Sequence, residues 1–343
     1  MIFGHGDDAW QYGEKIKMDF SSNVYSGADL TALRDHLMEN FHIVGHYPEP
    51  EPTSLEAMIA ESLGVAADTI MVTNGATEAI YLIAQLYSGW ASIIPQPTFT
   101  EFEDACKLFH HLLSYIADDE LEVLPEDRLY WLCNPNNPTG NVVNKLLITH
   151  IIRQHPRYLY VVDQSYADYT LKPMIQPKDL TDCYNVMLIH SLSKKYCVPG
   201  LRLGYIFASP IIIDRLRQIR QPWTVNAMAI EAGKYLIKNN PQMIPDLEEY
   251  LEEARRLHEK LSAIRGLMVM DTSTHFMLVN IDYGKANTQN LKRWLIENHG
   301  ILIRDASNFR SLDNHCFRVT ARTPEEDDLL VEAIKGYLKT LDS

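Results

Sequence analysis

Short apolar runs recur between residues 68 and 210 and are separated by longer segments of mixed character. Their length and their β-branched or aromatic content predict buried strands, because strands covered on both faces are apolar throughout. Several intervening segments are long enough for crossover helices, which predicts an α/β domain with a largely parallel sheet. The predicted strands are Thr69–Thr73, Ala91–Ile94, Leu129–Cys133, Tyr158–Val162 and Asn185–Ile189, and the predicted helices are Thr77–Tyr87, Glu101–Phe109 and Lys145–Gln154.

Beyond residue 236 the pattern becomes that of a smaller α+β domain. Apolar residues keep helical spacing from Leu247 to Leu261 within a charged segment, which predicts a long helix between two domains. A last helix is expected to begin at Thr323-Pro-Glu-Glu326, where a hydroxyl N-cap, a first-turn proline and a glutamate coincide. Further strands are predicted near Leu267–Met270, His275–Asn280, Ile301–Arg304 and Phe317–Thr320, with a helix at Leu291–Asn298. We therefore expect an N-terminal arm (1–35) that packs with the small domain, a large domain (36–235) and a small domain (236–343).

The composition is that of an ordinary globular protein and argues against several classes. Hydrophobic residues make up 46% and charged residues 22%, and the net charge of −14 disfavours nucleic acid or an anionic membrane as a partner. The five cysteines lack the spacing of metal ligands, so we expect unpaired thiols in a reducing compartment and no metal. No signal peptide is recognisable, and no apolar run approaches the roughly 20 residues of a spanning helix. A cytoplasmic protein without a membrane segment is predicted.

A polar sequence of unusual composition follows each of the five predicted strands. Ligands of open α/β sheets collect at the carboxyl ends of the strands. We therefore expect these five segments to meet in one pocket. They are Asn74-Gly-Ala-Thr-Glu78, Pro97-Thr-Phe99, Asn134-Pro-Asn-Asn-Pro-Thr-Gly140, Asp163-Gln-Ser-Tyr166 and Ser191-Leu-Ser-Lys194.

The segment from His190 to Tyr205 carries the most specific chemistry. It places Lys194 directly after Ser-x-Ser and Arg202 eight positions later. A lysine that forms a Schiff base needs a fixed, partly dry position beside a cofactor that accepts electrons. An arginine and two hydroxyls suit a phosphate dianion. An exposed Lys-Lys pair in an amphipathic loop is the alternative for this segment alone, whereas the combination suggests a pyridoxal 5′-phosphate (PLP) site.

The other motifs supply the remaining contacts that PLP needs. Asp163 ends an apolar strand, where a carboxylate is costly unless it is paired, and a protonated pyridine nitrogen would pair with it. Gly75, Ala76 and Thr77 lie where a strand turns into a helix, so backbone N–H groups and the helix dipole can hold phosphate. Phe99 can stack on a ring. Each residue alone has an ordinary explanation as a cap, a turn or a core residue, and the prediction depends on their joint order.

This ordered series, which closes with Gly200-Leu-Arg-x-Gly-Tyr205, resembles the class I and II aminotransferases of PLP fold type I over nearly the whole chain. The resemblance implies a large domain with a mostly parallel seven-stranded sheet, a small α+β C-terminal domain, and PLP as the cofactor. It implies Lys194 as the catalytic lysine that binds PLP. The implied cofactor-binding residues are Tyr47, Gly75, Ala76, Thr77, Phe99, Asn137, Asp163, Tyr166, Ser191, Ser193, Lys194 and Arg202.

The same resemblance implies particular roles. Asp163 would contact the pyridine nitrogen, Asn137 and Tyr166 the ring oxygen, and Phe99 the ring face. Family members are typically homodimers with shared active sites, in which Tyr47 would reach the PLP phosphate of the neighbouring subunit. The phosphate of the chain's own PLP would be held by Ala76, Thr77, Ser191, Ser193 and Arg202.

Within that family the chain is similar to two subgroups, the histidinol-phosphate aminotransferases and the threonine-phosphate decarboxylases of cobalamin synthesis. The segments Gly4–Gly6, Asp19–Asn23, Pro222–Asn226 and Ile303–Phe309 favour the decarboxylase. Threonine phosphate carries a carboxylate and a phosphate, and two anions need more cationic and donor groups than one. The predicted substrate-binding residues are His5, Asn23, Arg304 and Arg318, with Arg310 and Arg322 as arginines that could instead be surface charges.

The alternatives stay open at this stage. A transaminase breaks the Cα–H bond and a decarboxylase the bond to the carboxylate, and the anion clamps decide which bond lies perpendicular to the ring. We favour decarboxylation of a small phosphorylated amino acid, with transamination of a phosphorylated amine or amino acid as the alternative. A non-catalytic PLP-binding sensor is a third hypothesis, although no basic recognition helix precedes the fold. The absence of G-x-G-x-x-G after a strand argues against a dehydrogenase.

Overall fold

The computed structural model describes residues 8–117 and 128–341. Its helices are α1 Thr31–Glu39, α2 Thr53–Leu63, α3 Gly75–Leu86, α4 Glu101–Leu108, α5 Lys145–Gln154, α6 Leu192–Lys195, α7 Pro210–Ile219, α8 Ala227–Asn239, α9 Leu247–Ser262, α10 Thr288–His299 and α11 Pro324–Leu341. Its strands are β1 Met18–Asp19, β2 Ile70–Thr73, β3 Ala91–Gln96, β4 Leu112–Ala117, β5 Leu129–Cys133, β6 Leu159–Asp163, β7 Val186–Ser191, β8 Gly204–Ala208, β9 Leu267–Val269, β10 Phe276–Ile281, β11 Ile301–Leu302, β12 Arg304–Asp305 and β13 Cys316–Thr320.

A seven-stranded sheet in the order β2-β8-β7-β6-β5-β3-β4 forms the centre of the large domain. The five predicted strands are confirmed, and β4 and β8 join them at positions that the sequence pattern did not mark. Strand β4 lies at the edge of the sheet, and its residues are exposed or half-buried although Ser114 is the one polar residue among them. Strand β8 is antiparallel to both of its neighbours, whereas the other pairs are parallel. The start of β8 therefore lies at the sheet edge where the parallel strands end.

Both faces of this sheet are covered by helices, as an apolar parallel sheet requires. Successive strand residues point to opposite faces, so Val72 enters the core beneath α2, α5 and α8, whereas Met71 enters the core beneath α3 and α7. In the same way, Tyr130 enters the core that contains Val72, and Trp131 enters the core that contains Met71. The continuous apolar runs of the sequence thus report burial on two sides.

The small domain contains an antiparallel sheet in the order β12-β13-β10-β9, and the apolar faces of α9, α10 and α11 share its core. The expectation of a single strand at Ile301–Arg304 was wrong. Strand β11 pairs with β1 of the N-terminal arm, whereas β12 pairs with β13, because the chain crosses from one sheet to the other at Ile303. This crossing joins the arm to the small domain and places Arg304 beside β13.

The predicted helices are confirmed within one or two residues at most ends. Helix α5 has the predicted bounds, and the side chain of Asn144 caps it by accepting a hydrogen bond from the backbone N–H of Leu146. Helices α1, α2, α7 and α8 are findings of the structure that the sequence pattern did not mark. Among residues 8–117 and 128–341, none of these helices combines the length and the apolar character needed to cross a membrane.

Candidate active site

A cavity of about 380 Å³ lies at the carboxyl ends of the parallel strands, between the large domain, the arm and the small domain. Segments from all five strand ends contribute to it, as expected from the motif order. Of the predicted site residues, the cavity is lined by Asn23, Ala76, Thr77, Phe99, Asn137, Asp163, Tyr166, Ser191, Lys194, Arg202, Arg304 and Arg318.

Asp163 is a buried carboxylate at the end of β6. Its Oδ1 accepts a hydrogen bond from the backbone N–H of Ser165 over 2.8 Å. Burial raises the pKa of Asp163, and the hydrogen bond to Ser165 and the nearby charge of Lys194 act in the opposite direction. A cationic group bound in the cavity would offset the remaining cost of keeping this carboxylate ionised.

Lys194 lies in the single turn α6 that follows β7, and its Nζ is 5.8 Å from the centre of the Tyr166 ring. Its backbone carbonyl accepts a hydrogen bond from the Tyr169 hydroxyl over 3.0 Å, which ties the turn to the segment that follows β6. Burial raises the pKa of Tyr166 to about 12, so its hydroxyl stays protonated and can donate a hydrogen bond at neutral pH. The cavity thus contains an amine and a phenol in fixed positions.

The start of α3 and the segment before β8 form a cradle for an anion. Gly75 has φ +74°, and a Cβ there would lie 2.5 Å from Nη2 of Arg202. At Gly204 a Cβ would lie 2.8 Å from the backbone nitrogen of Ala76, so β8 and α3 approach closely only because both positions are glycine. Backbone N–H groups at a helix start beside a guanidinium suit a phosphate group.

Asn136, which the sequence prediction did not include, ties two of the motif turns together. Its side-chain amide donates to the carbonyl of Pro97 over 2.9 Å and accepts from the hydroxyl of Thr98 over 2.8 Å. The cross-link joins the turn that carries Phe99 to the turn that carries Asn137. The adjacent asparagines of the Asn-Pro-Asn-Asn-Pro run could have indicated this role, since buried side-chain amides normally make hydrogen bonds.

Arg318 lies in β13 and reaches across to the large domain. Its Nη1 donates to Oδ1 of Asn137 over 2.5 Å, and its Nη2 donates to the carbonyl of Ser21 over 2.6 Å. Burial lowers the pKa of Arg318 to about 10, which leaves it cationic at neutral pH. Its Nε is buried without a hydrogen-bond partner among the residues that the structure describes, so the guanidinium retains a donor.

Arg304 lies directly opposite Arg318, because the two residues are Cα partners in the antiparallel pair of β12 and β13. The guanidinium of Arg304 donates to the carbonyl of Asp305 over 2.6 Å and to Oδ1 of Asn308 over 2.8 Å. The exposed fractions of Arg304 and Arg318 are only 7% and 5%. Two neighbouring buried cations repel one another, and an anion between them would relieve that repulsion.

Asn23 is held between the two domains at the arm. Its Nδ2 lies 3.4 Å from the Tyr166 hydroxyl, and its Oδ1 accepts from the Thr320 hydroxyl over 2.8 Å. Its backbone carbonyl lies 3.3 Å from Nε2 of His275. The arm therefore contributes a fixed polar wall to the cavity.

Several predicted residues lie outside the cavity lining. The Ser193 hydroxyl accepts from the backbone N–H of Leu203 over 3.0 Å, so it links α6 to the segment before β8. Gly75 supports the cradle from behind, as its close approach to Arg202 shows. Tyr47 is 86% exposed, and its ring packs against Trp223 with 5.4 Å between the ring centres. His5 lies outside the described residues.

The two arginines treated as alternatives also lie elsewhere. Arg310 pairs with Glu103 over 2.6 Å, and Arg322 pairs with Glu326 over 2.9 Å. Both are therefore engaged by carboxylates away from the cavity wall. Neither contributes a guanidinium to the lining.

The sequence prediction missed several residues of the lining. Cys133 directly precedes the motif that begins at Asn134, and Phe309 is the last residue of the segment Ile303–Phe309. Both could therefore have been predicted from these neighbouring motifs. Glu101 accepts from the Tyr81 hydroxyl over 2.9 Å, and no pattern indicated a carboxylate at this wall. The further lining residues are Ser21, Ser22, Val24, Thr100, Ser165 and Pro199.

Comparison with known proteins agrees with this architecture. The family model described as aminotransferase class I and II matches residues 15–334. The crystal structure of L-threonine-O-3-phosphate decarboxylase from Porphyromonas gingivalis is similar, with a TM-score of 0.91 and 35% identity over 94% of this chain and 99% of that one. The chain belongs to the class I and II aminotransferase family, has PLP fold type I, and is a PLP-dependent enzyme.

Two relatives represent the subgroups within that family. Threonine-phosphate decarboxylase from Salmonella typhimurium is 27% identical over 335 residues, which are 94% of this chain and 91% of the relative. Histidinol-phosphate aminotransferase from Parabacteroides distasonis is 30% identical over 304 residues, which are 84% of this chain and 86% of the relative. Sequence similarity alone therefore places the chain near both activities.

The residues of the cavity fit PLP. The cradle that a Cβ at Gly75 would fill suits its phosphate, and the buried carboxylate of Asp163 suits a cationic ring nitrogen. Lys194 would supply an amine for covalent attachment, and the neutral hydroxyl of Tyr166 would supply a donor for the ring oxygen. When bound, PLP acts as an electron sink that weakens the bonds at the substrate Cα.

Proposed function

We propose that this enzyme decarboxylates a small phosphorylated amino acid, with threonine O-phosphate as the substrate. The observation that carries the proposal is the opposed pair Arg304 and Arg318, both buried at the cavity that contains Lys194. The similarity to the Porphyromonas gingivalis decarboxylase, with a TM-score of 0.91 at 35% identity, supports the same activity.

The charges of the cavity match a substrate with two anionic groups. Arg202 lies at the cradle by α3 and is assigned to the cofactor phosphate, which leaves Arg304 and Arg318 for the substrate. One arginine for the carboxylate and one for the phosphate would allow bidentate hydrogen bonds to each. Asn23 is proposed to add a neutral donor from the arm. A substrate with one phosphate would have to share it between the two guanidinium groups, whereas a carboxylate and a phosphate give each cation a partner of its own.

The cofactor contacts are part of the same proposal. We assign the ring nitrogen to Asp163, the ring oxygen to Asn137 and Tyr166, and the ring face to Phe99. We assign the phosphate to the residues at the start of α3 and before β8, namely Gly75, Ala76, Thr77, Ser191, Ser193 and Arg202. The Ser193 hydroxyl would act indirectly, since it already binds the backbone of Leu203.

The arginine pair also provides the means to select the bond that breaks. Two guanidinium groups that bind two anions fix the rotation of the substrate about its Cα, which a single contact would leave free. If the two arginines held the carboxylate in the orientation for cleavage, carbon dioxide would be the group that leaves. Lys194 is the amine placed to deliver the proton that replaces it at Cα.

Turnover of threonine O-phosphate tests the proposal directly. Holoenzyme incubated with this compound and no keto acid should release carbon dioxide and 1-aminopropan-2-ol phosphate in equal amounts. L-Threonine is the matched control, because it has the same carbon skeleton without the phosphate. Failure to release carbon dioxide from threonine O-phosphate would contradict the proposed function.

Transamination is the second candidate, because a histidinol-phosphate aminotransferase reaches 30% identity over 84% of this chain. It requires a keto acid and leaves the carbon skeleton intact. Consumption of histidinol phosphate that depends on 2-oxoglutarate and yields glutamate would establish it. The two activities are thus separated by one pair of assays on the same preparation.

We further propose that the enzyme is a cytoplasmic homodimer in which Tyr47 reaches the site of the partner subunit. Phe41, Val44, Tyr47 and Trp223 are large side chains exposed on one chain, and exposed apolar surface of this kind often marks an interface. The five buried thiols suit a reducing compartment.

Sedimentation of the holoenzyme should give twice the chain mass. Tyr47→Phe should weaken PLP retention while the dimer persists, and unchanged retention would contradict the role of Tyr47.

A further inference from the structure

A second cavity adjoins the active site on the far side of Thr100 and Phe309, which line both cavities. It separates α4 of the large domain from residues 305–312 of the small domain, which we call the clamp loop. The clamp loop begins in β12, which carries Arg304, and leads towards β13, which carries Arg318. A shift of this loop would therefore affect the positions of both arginines assigned to the substrate.

One ion pair fastens the clamp loop to the large domain. Arg310 donates from Nε to Oε2 of Glu103 over 2.8 Å and from Nη2 to Oε1 over 2.6 Å. The Arg310 guanidinium also lies 4.0 Å from the centre of the Tyr115 ring on β4. The Glu103 carboxylate is only 5% exposed, and Lys107 binds it from the same helix. A bidentate pair with one buried partner and an aromatic contact has a defined geometry.

The clamp loop in turn holds Arg304. Asn308, two residues before Arg310, accepts a hydrogen bond from Nη2 of Arg304 over 2.8 Å. The ring of Phe309, the residue in between, has its centre 5.5 Å from the Arg304 guanidinium. Turn hydrogen bonds at Phe309 and Leu312 keep these residues in one compact unit. A displacement of Arg310 would therefore move the groups that orient Arg304.

We propose that Glu103 and Arg310 are positioning residues, which place Arg304 for an anionic group of the substrate by fixing the clamp loop against the large domain. This inference rests on the proposed function, because it takes Arg304 as a substrate contact. Neither Glu103 nor Arg310 lines the cavity that contains Lys194. Their effect passes through Asn308 and Phe309.

A double-mutant cycle between Arg310 and Arg304 tests the connection. Arg310→Gln should raise the dissociation constant of inorganic phosphate from the holoenzyme about tenfold, measured by calorimetry. Arg304→Gln should raise it further, and the double variant should bind no more weakly than Arg304→Gln alone. Independent structural effects would instead add. Arg310→Lys, which keeps the charge without the bidentate bond, should fall between wild type and Arg310→Gln.

Several controls separate positioning from general damage. Glu103 keeps its partner Lys107 in Arg310→Gln, so no buried charge is left alone. The absorbance of bound PLP and the melting temperature should match wild type. Arg255→Gln, which breaks an exposed pair with Glu252 on α9, should leave phosphate binding unchanged. Additive losses in the cycle, an Arg310→Gln variant that binds as wild type does, or a wild-type holoenzyme that does not bind phosphate would overturn the inference.

The turnover assay and the phosphate-binding cycle test the two proposals separately. If threonine O-phosphate is not decarboxylated while the cycle is non-additive, the proposed reaction is wrong and the positioning role stands. If threonine O-phosphate is decarboxylated while the cycle is additive, the clamp-loop inference is wrong and the proposed function stands.

Discussion

The two ends of the active-site cavity are built in different ways. At the end proposed to bind the cofactor, the cofactor end, Thr77, Asp163 and Lys194 each lie within a few residues of the end of a strand in one sheet. At the end proposed to bind the substrate, the substrate end, Asn23 comes from the arm, whereas Arg304 and Arg318 come from two strands of the small domain. The first set is positioned by local strand–turn geometry, and the second by packing between distant parts of the chain. We therefore expect substitutions at the cofactor end to abolish the chemistry and those at the substrate end to alter recognition.

Replacement of Lys194 should have the largest effect. Lys194→Ala removes the amine assigned to cofactor attachment and to proton transfer, so the decarboxylation rate should fall by about 10⁴-fold or more. The rate of carbon dioxide release and borohydride labelling of the protein measure the two roles. Lys195→Ala is the control, because the Lys195 amine lies 3.8 Å from Asp168 and outside the cavity lining. Near-normal turnover by Lys194→Ala would contradict the assignment.

Asp163→Asn should have the next largest effect. Loss of the charge would leave a cationic ring nitrogen without its partner, and breaking such a buried pair costs about 3–5 kcal/mol, or roughly 10²–10⁴ in rate. The turnover number measured under saturating PLP reports this loss. Asp168→Asn removes a nearby carboxylate that pairs with Lys195, and it should retain activity. Equal losses of turnover in Asp163→Asn and Asp168→Asn would contradict a specific role of Asp163 at the ring nitrogen.

Arg318→Gln should act on recognition instead. Loss of one buried cation should lower kcat/KM for threonine O-phosphate by about 10²-fold, since such contacts are worth about 2–5 kcal/mol. PLP absorbance should be retained, which would separate this variant from those at the cofactor end. Arg322→Gln is the matched control from the same domain, because Arg322 pairs with Glu326 outside the cavity. A loss of PLP in Arg318→Gln would erase the proposed difference between the two ends.

Two histidines offer a smaller test, the half-buried His190 near the cofactor end and the buried His275 near the substrate end. His190 in β7 stacks on Tyr205, and His275 stacks on Tyr169. Burial lowers the pKa of each from 6.5 to about 3, so both are neutral in the folded protein at pH 5. The unfolded chain binds these protons, and the free energy of unfolding should therefore fall as pH drops from 6.5 towards 3, by up to about 1.4 kcal/mol per pH unit for each histidine.

Urea unfolding between pH 7 and pH 5 measures this dependence. His190→Gln and His275→Gln should each reduce the slope of the free energy of unfolding against pH. The exposed His42 supplies the control, and His42→Gln should leave the slope as it is in wild type. If neither His190→Gln nor His275→Gln changed the slope, groups other than these histidines would dominate the pH dependence of the free energy of unfolding.

The sequence predicted which residues meet in the cavity at the carboxyl ends of the strands, and it did so for a physical reason. Fully buried strands leave a continuous apolar run, and the polar residues that follow must lie at the sheet edge. The positions of Asp163 and Lys194 follow from that rule without knowledge of any distant contact. Strand β4 was missed although its residues are apolar except for Ser114, so an apolar run alone does not identify every strand of the sheet. Asn136 was missed because its side chain bonds to a turn that is far away in sequence.

Segments that follow buried strands thus determined the fold class and the chemistry of the cavity, because each side chain there depends only on the strand before it. The family resemblance favoured Arg304 and Arg318, but the physical reason that these two arginines line the cavity lies in the tertiary structure. Arg304 and Arg318 enter it because β12 pairs with β13, whereas Arg310 and Arg322 are held by Glu103 and Glu326. All four are arginines within a short stretch of chain, and long-range packing and ion pairing separate the two that line the cavity from the two that pair with carboxylates.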